Sequence, residues 1–312
     1  MLPGDWHVPL AKICLQKQAH FVSSSYISPE MLVLNSDFKA ANIACVNEVG
    51  LDPGIDHSMA HFLVNDLKNS LPKNDVSVDF ISYCGGVPKI PNPFRYKFSW
   101  SPAGVLKALK SPSKSIKNGE IWDVERPWDA ITRYTAPLPE PEEFEVYPNR
   151  DSLPFLKQYH FNPDWHVNQF VRGTLRLDGW SKAWSNVFNE IENLTFPEGD
   201  KRLQEMSNEF WAKNAYEENE PDRVILCVSL SAKSNSETLY HKSYVLDAWG
   251  TQESSAMARL VSIPVATAVE AIKNGEIKPG VTSAPDSPDL VDRWMVMVES
   301  LSQHLEIVDH LQ

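Results

Sequence analysis

The sequence has 13 glycines, and no two of them are separated by a single residue. The Gly-x-Gly-x-x-Gly turn that brings backbone amides against a dinucleotide's pyrophosphate is therefore absent, and so is a P-loop. Bulkier residues do not readily reproduce that backbone geometry. Cysteine is scarce: Cys14, Cys45, Cys84 and Cys227 lie far apart with no Cys-x-x-Cys pair. That spacing excludes a disulfide framework, so a reducing compartment, the cytoplasm, is the expectation. Positive charge is in deficit. A net charge of -12 argues against a nucleic-acid or anionic-membrane partner and is what solubility alone would produce. No apolar run reaches the ~18 residues of a membrane helix, and the start, Met-Leu-Pro-Gly-Asp-Trp, lacks the basic and apolar regions of a signal peptide. No Gly-x-Ser-x-Gly elbow, internal repeat or low-complexity tract occurs.

What is present is an alternation of helical and strand patterns. Residues 7–19 space Val8, Leu10, Ile13 and Cys14 as an amphipathic helix, and residues 20–24 read as a short buried strand. Ser28-Pro29-Glu30 opens a second helix, and residues 43–46 make a second strand. Such alternation predicts a parallel sheet. Asp56 is expected to cap a helix from about 57 to 71, and residues 76–83 alternate as a strand that delivers Cys84-Gly85-Gly86 to its end. Residues 103–109 are helical, and 120–180 is strand-rich. A short helical insertion is expected at 181–219. The runs 223–230 and 239–249 read as an antiparallel hairpin across residues 234–237, and 254–274 as an apolar helix stopped by Gly275. The fold class that follows is α/β. An incomplete Rossmann-like parallel sheet, residues 1–52 rejoined by 253–312, accompanies an α+β substrate domain with a mixed sheet, residues 53–252.

Chemistry-bearing residues gather in loops after the apolar runs. Asn47-Glu-Val-Gly-Leu-Asp-Pro-Gly-Ile-Asp-His57 follows the second strand, which puts Asp52 at the carboxyl edge of a sheet, where α/β proteins bind ligands. An Asp before Pro53 is equally a turn former. Cys84 lies beside two glycines that let a ligand approach the backbone, although a free cysteine is ordinarily a small buried residue. His57 and His61 stand four apart on a helix, a spacing that can bind zinc. Without the motif's Glu or a third ligand they read as a solvent-facing or satisfied pair, and no metal is assigned.

These loops resemble one family, the glutamate-forming saccharopine dehydrogenases. The resemblance is carried by Ser24-Ser-Tyr-Ile-Ser-Pro29, the 47–57 loop, Tyr83-Cys-Gly-Gly-Val-Pro88, Asn92-Pro-Phe-Arg-Tyr-Lys-Phe-Ser-Trp-Ser-Pro102, Tyr147-Pro-Asn-Arg-Asp-Ser152 and Arg172-Gly-Thr-Leu-Arg176, and more weakly by 254–257, 263–264 and 284–285. It implies an NADP-linked oxidoreductase of lysine metabolism, with NAD not excluded. Such an enzyme interconverts saccharopine with L-glutamate and 2-aminoadipate 6-semialdehyde by hydride transfer to an imine. It implies proton-transfer roles for Asp52, Tyr26 and Cys84, with Ser25, Tyr26, Arg150, Thr174, Leu175 and Arg176 on the substrate. Leu51, Asp52, Pro53, Trp100 and Ser101 would lie beside the nicotinamide. The two arginines suit a substrate with three carboxylates, or else belong to structural ion pairs. A homodimer binding a small amino-acid substrate is the implied assembly.

In the family the match to Ser24-Ser-Tyr26 follows several βα units with the glycine-rich turn, so the expectation is a truncated form of such an enzyme. A non-catalytic binding or scaffold homologue is one alternative. Another is a related imine reductase acting on a different amino acid or a polyamine precursor.

Overall fold

In a computed structural model the described residues are 4–71, 75–195 and 198–312. The first three residues of the N-terminal stretch and residues 196–197 of the helical insertion lie outside them. The chain forms two compact units, residues 1–62 with 258–301, and residues 63–257 with 302–312.

The first unit is built on a parallel three-stranded sheet in the order Phe21–Val22, Ala44–Val46, Gly280–Thr282. Strand side chains alternate between faces, and the middle strand shows what that does. Cys45 joins Ala11, Phe21, Met31 and Phe38 on one face, while Ala44 and Val46 join Val49, Ala268, Ala284 and Trp294 on the other. Helices therefore cover both faces, as a buried parallel sheet requires. Ser28 caps the Pro29–Val33 helix, accepting from the Met31 amide at 3.1 Å.

The second unit is organised by a nine-stranded mixed sheet. Its central strand, Ser77–Pro88, runs parallel to His166–Leu177 on one side and antiparallel to Asp222–Ser234 on the other. The latter pairs with Glu237–Trp249 through a turn whose residues Asn235 and Ser236 have φ of 48° and 70°. Two positive φ values in a two-residue loop are the primed turn that matches strand twist. Glu237–Trp249 in turn carries the C-terminal strand His304–Asp309 along its free edge. One face of the sheet packs Phe80 against Phe170, ring centroids 4.8 Å apart. On the other, Tyr83, Val171, Leu175, Cys227 and Val245 share a core. The helical insertion, Trp180–Ala183, Ser185–Glu192 and Glu198–Asn214, buries Trp180, Trp184, Phe188 and Met206 against Tyr96, Phe98 and Tyr147.

Two expectations are corrected. Asp56 does not cap a helix starting at 57: the helix begins at Ile55, and the Asp56 carboxylate reaches back to accept from the Gly54 amide at 2.6 Å. Cys84-Gly85-Gly86 is not a loop at a strand end. The strand continues to Pro88 because its edge toward Asp222–Ser234 stays paired, Gly85 opposite Ile225 and Gly86 opposite Val224, although the pairing on its other edge ends at Cys84. Nor does Gly85 make room for a ligand, since a Cβ there would meet the Leu175 carbonyl oxygen at 2.3 Å. Its glycine serves the close approach of two strands.

On this sheet His241 stacks on His310, ring centroids 4.0 Å apart, beside a cavity of about 260 Å³. Burial first, then the charges of His310 and Lys233, lowers the His241 pKa; Asp309 and Asp79 oppose this only in part. A histidine pKa lower in the folded than in the unfolded state means that folding favours the neutral ring. Its contribution is complete above the ordinary pKa of about 6.5 and is lost as pH falls through the lowered folded value. Melting temperature should therefore drop from pH 7.5 to pH 5, and His241→Gln should make that drop shallower. Identical pH slopes in the variant and the wild-type protein would count against this assignment.

Candidate functional site

Two groups of residues carry the chemistry, one in each unit. In the first unit they sit at the carboxyl ends of two parallel strands, where the loops 23–28 and 47–57 are laced together. The Glu48 amide donates to the Ser25 carbonyl at 3.0 Å, the Ser25 amide to the Ser23 hydroxyl at 3.0 Å, and the Val49 amide to the Ser23 carbonyl at 3.4 Å. This lacing presents Tyr26 to Asp52, and the phenol donates to the carboxylate at 2.8 Å. The 50–54 turn is closed by Gly50 N–H on the Pro53 carbonyl at 2.9 Å. Gly54 has φ of 147°, and a Cβ there would meet the Gly50 carbonyl oxygen at 2.2 Å, so only glycine closes this turn. Leu51 and Pro53 are buried within it, and Asp52 is partly exposed.

Beneath the loops lies a buried chain that sequence reasoning missed. Glu48 is 3% exposed and held at φ 57°, a conformation uncommon for a residue with a side chain. One of its carboxylate oxygens accepts from the Ile27 amide at 3.0 Å, and the other lies 3.3 Å from His57 Nε2. The opposite ring nitrogen, Nδ1, is 3.4 Å from Asp56. His57 is thus fully buried and lies against two carboxylates of the 47–57 loop. Nothing in the spacing of Glu48 and His57 announces this, because the bridge depends on the left-handed turn at Glu48. Such a backbone outlier at a loop crossing persists only where its surroundings determine it.

In the second unit the predicted residues lie along three adjacent strands. Cys84 is buried on the central strand opposite Thr174, and Thr174 also stands opposite Tyr147 on the next strand. Tyr147 is wholly buried. Burial raises the pKa of its phenol, an effect only partly offset by Arg176 and by hydrogen bonds with Thr174 and Arg176. Leu175 points to the opposite core, and its carbonyl accepts from Arg176 Nη1 at 3.2 Å. Arg176 is 7% exposed, with its guanidinium 4.8 Å from the Tyr96 ring, 5.5 Å from Trp180 and 5.8 Å from Tyr147. Among the described residues it makes no ion pair, and its Nε has no hydrogen-bond partner. No sequence signal grouped the three rings that box it, although Tyr147 opens one of the matched motifs and Tyr96 lies within another.

The remaining predicted residues serve differently. Arg150 is exposed, with φ of 57°, and its carbonyl accepts from the Lys114 amide. Ser101 caps the Pro102–Leu109 helix, accepting from the Gly104 amide at 3.4 Å. Trp100 is 47% exposed and packs so closely on Gly104 that a Cβ there would lie 2.3 Å from its ring. Arg172, not singled out beforehand, is 4% exposed with its guanidinium 3.9 Å from the Phe155 ring.

Comparison with known proteins follows this geometry. The family model of the saccharopine dehydrogenase C-terminal domain matches residues 50–302. The alpha-aminoadipic semialdehyde synthase of Arabidopsis thaliana is 38% identical over 192 residues, 60% of this chain and 18% of that protein. The saccharopine dehydrogenase [NADP(+), L-glutamate-forming] of Saccharomyces cerevisiae is 30% identical over 362 aligned residues, 95% of this chain and 80% of the yeast protein. Among solved structures, the apo saccharopine dehydrogenase (L-Glu forming) from Saccharomyces cerevisiae superposes with a TM-score of 0.79 at 25% identity, covering 99% of this chain and 83% of that one.

Removing a buried acceptor leaves its donors unsatisfied, at a cost of about 1–3 kcal/mol each. Glu48→Ala takes a partner from the Ile27 amide and from His57 and should therefore destabilise the first unit by on the order of 3 kcal/mol, read as a shift in its denaturation midpoint. Tyr26→Phe removes one hydrogen bond and should cost about 1 kcal/mol. Equal effects of the two substitutions would contradict the role given to Glu48.

Proposed function

We propose that this chain, which belongs to the saccharopine dehydrogenase family, handles the amino-acid side of an NADP-linked oxidoreductase reaction. That reaction is the interconversion of saccharopine with L-glutamate and 2-aminoadipate 6-semialdehyde. The observation that carries the reading is Arg176. A guanidinium buried without an anionic partner is costly, and three aromatic faces supply only part of what a carboxylate would. A substrate rich in carboxylates completes it. Arg150 and the Thr174 hydroxyl, in the same unit, would take further carboxylate or amine groups.

Condensing an amine with an aldehyde needs one proton removed from the ammonium and one delivered to the departing hydroxyl. Asp52, already accepting a hydrogen bond from the Tyr26 phenol, is suited to the first task. The phenol is the candidate for the second. The fit to the cofactor is incomplete. The closed 50–54 turn offers a surface for a nicotinamide, but these 312 residues contain no glycine-rich turn for a pyrophosphate. The roles of this chain's own residues are substrate grip and proton handling.

That missing turn favours a second reading, a homologue that binds the amino acid without catalysis. Separate titrations distinguish the two. Saccharopine and L-glutamate should each raise the melting temperature, and Arg176→Gln should weaken both by about tenfold or more, the worth of a charge-assisted hydrogen bond. A change in NADPH fluorescence on adding this chain supports the enzyme; no change, with saccharopine still bound, supports the binding homologue. Undiminished binding by Arg176→Gln would overturn the assignment of the carboxylate site.

A further inference from the structure

The sheet itself offers Arg176 a counter-ion. In the antiparallel pairing of Glu142–Pro148 with His166–Leu177, Glu145 stands directly opposite Arg176. Opposed residues share a face with Cβ atoms about 5 Å apart, within easy reach of a Glu–Arg ion pair. The pair does not form. The Glu145 carboxylate, 8% exposed, instead accepts from the Gly179 amide at 3.2 Å, the Ser181 amide at 2.7 Å and the Ser181 hydroxyl at 2.9 Å. Gly179, at φ 81°, turns the chain so that these donors converge. Arg176 is left to the rings of Tyr96, Tyr147 and Trp180, which neutralise nothing.

We propose that Ser181, with the amides of Gly179 and Ser181, forms a latch that holds Glu145 away from Arg176. Glu145 is then a positioning residue: it is the internal competitor that an incoming carboxylate would otherwise have to displace. The latch rests on the reading of Arg176 as the carboxylate site. Its chemistry is simple, because an anion held by three donors has no need of a fourth, and the guanidinium keeps its full charge for the ligand. Aromatic walls suit this purpose, since they hold an arginine in place without consuming its charge.

The test is calorimetric titration of L-glutamate and saccharopine into wild-type protein, Ser181→Ala, Ser181→Thr, Glu145→Gln and the double variant Ser181→Ala/Glu145→Gln. Ser181→Ala removes the nearer of the two donors on Glu145 Oε1, leaving it only the Gly179 amide at 3.2 Å and looser toward Arg176, and should weaken binding by about threefold to tenfold, the worth of one hydrogen bond. Glu145→Gln removes the competitor and should tighten binding, and the double variant should recover at least what Ser181→Ala lost. Ser181→Thr keeps the hydroxyl and should stay nearer to wild type than to Ser181→Ala. Rescue by a second substitution is the result a merely structural role cannot produce. If Glu145→Gln weakens binding, or the double variant is not rescued, Glu145 is only a structural support and the latch is refuted. If wild-type protein binds neither ligand, the carboxylate reading of Arg176 fails and the latch with it.

Discussion

The second unit depends on the pairing of its central strand on both edges. Ser77–Pro88 is hydrogen-bonded to His166–Leu177 on one side and to Asp222–Ser234 on the other. A strand so held cannot slip by one residue without turning its whole apolar set to the wrong face. That register puts Cys84 opposite Thr174. The neighbouring pairing continues the row, with Thr174 opposite Tyr147 and Arg176 opposite Glu145. Gly85 is part of the same constraint, because the Leu175 backbone occupies the place of its missing side chain. A site made of residues from three strands inherits its precision from these ladders and not from any loop.

Buried charge is handled in two contrasting ways. In the first unit the Glu48 carboxylate accepts from the Ile27 amide and lies against His57, which also faces Asp56, and so ties two loops under Tyr26 and Asp52. In the second unit Glu145 is satisfied by backbone and hydroxyl donors while Arg176 has rings, a carbonyl and the Tyr147 phenol but no anion. A protein interior tolerates an isolated charge poorly, so the two patterns separate a scaffold from a binding group more clearly than burial alone does. All of these residues are buried; their partners tell them apart.

Much of the architecture was legible in the sequence. Ser28-Pro29 marked a helix start, the 234–237 turn marked a hairpin, and alternating apolar runs marked the strands, because each of these is a local preference of the backbone. The errors came where tertiary pairing overrode a local signal. Gly85-Gly86 reads as a turn by composition, yet both residues are paired on a strand. The C-terminal strand His304–Asp309 is equally non-local, since its place beside Glu237–Trp249 depends on a partner some sixty residues away.

By itself the sequence determined the family and the residue types of the site, through motifs dense in uncommon residues. It also determined the absence of a pyrophosphate-binding turn, since no fold can supply glycines that the chain does not contain. Only the tertiary structure decided which charges are satisfied. Whether a carboxylate four positions or thirty positions away meets an arginine depends on strand register and on competing donors, and neither is written in local spacing. Hence Glu48 and His57, unremarked as a pair in the sequence, meet in a buried bridge, while Arg176, directly opposite Glu145, makes no ion pair with it.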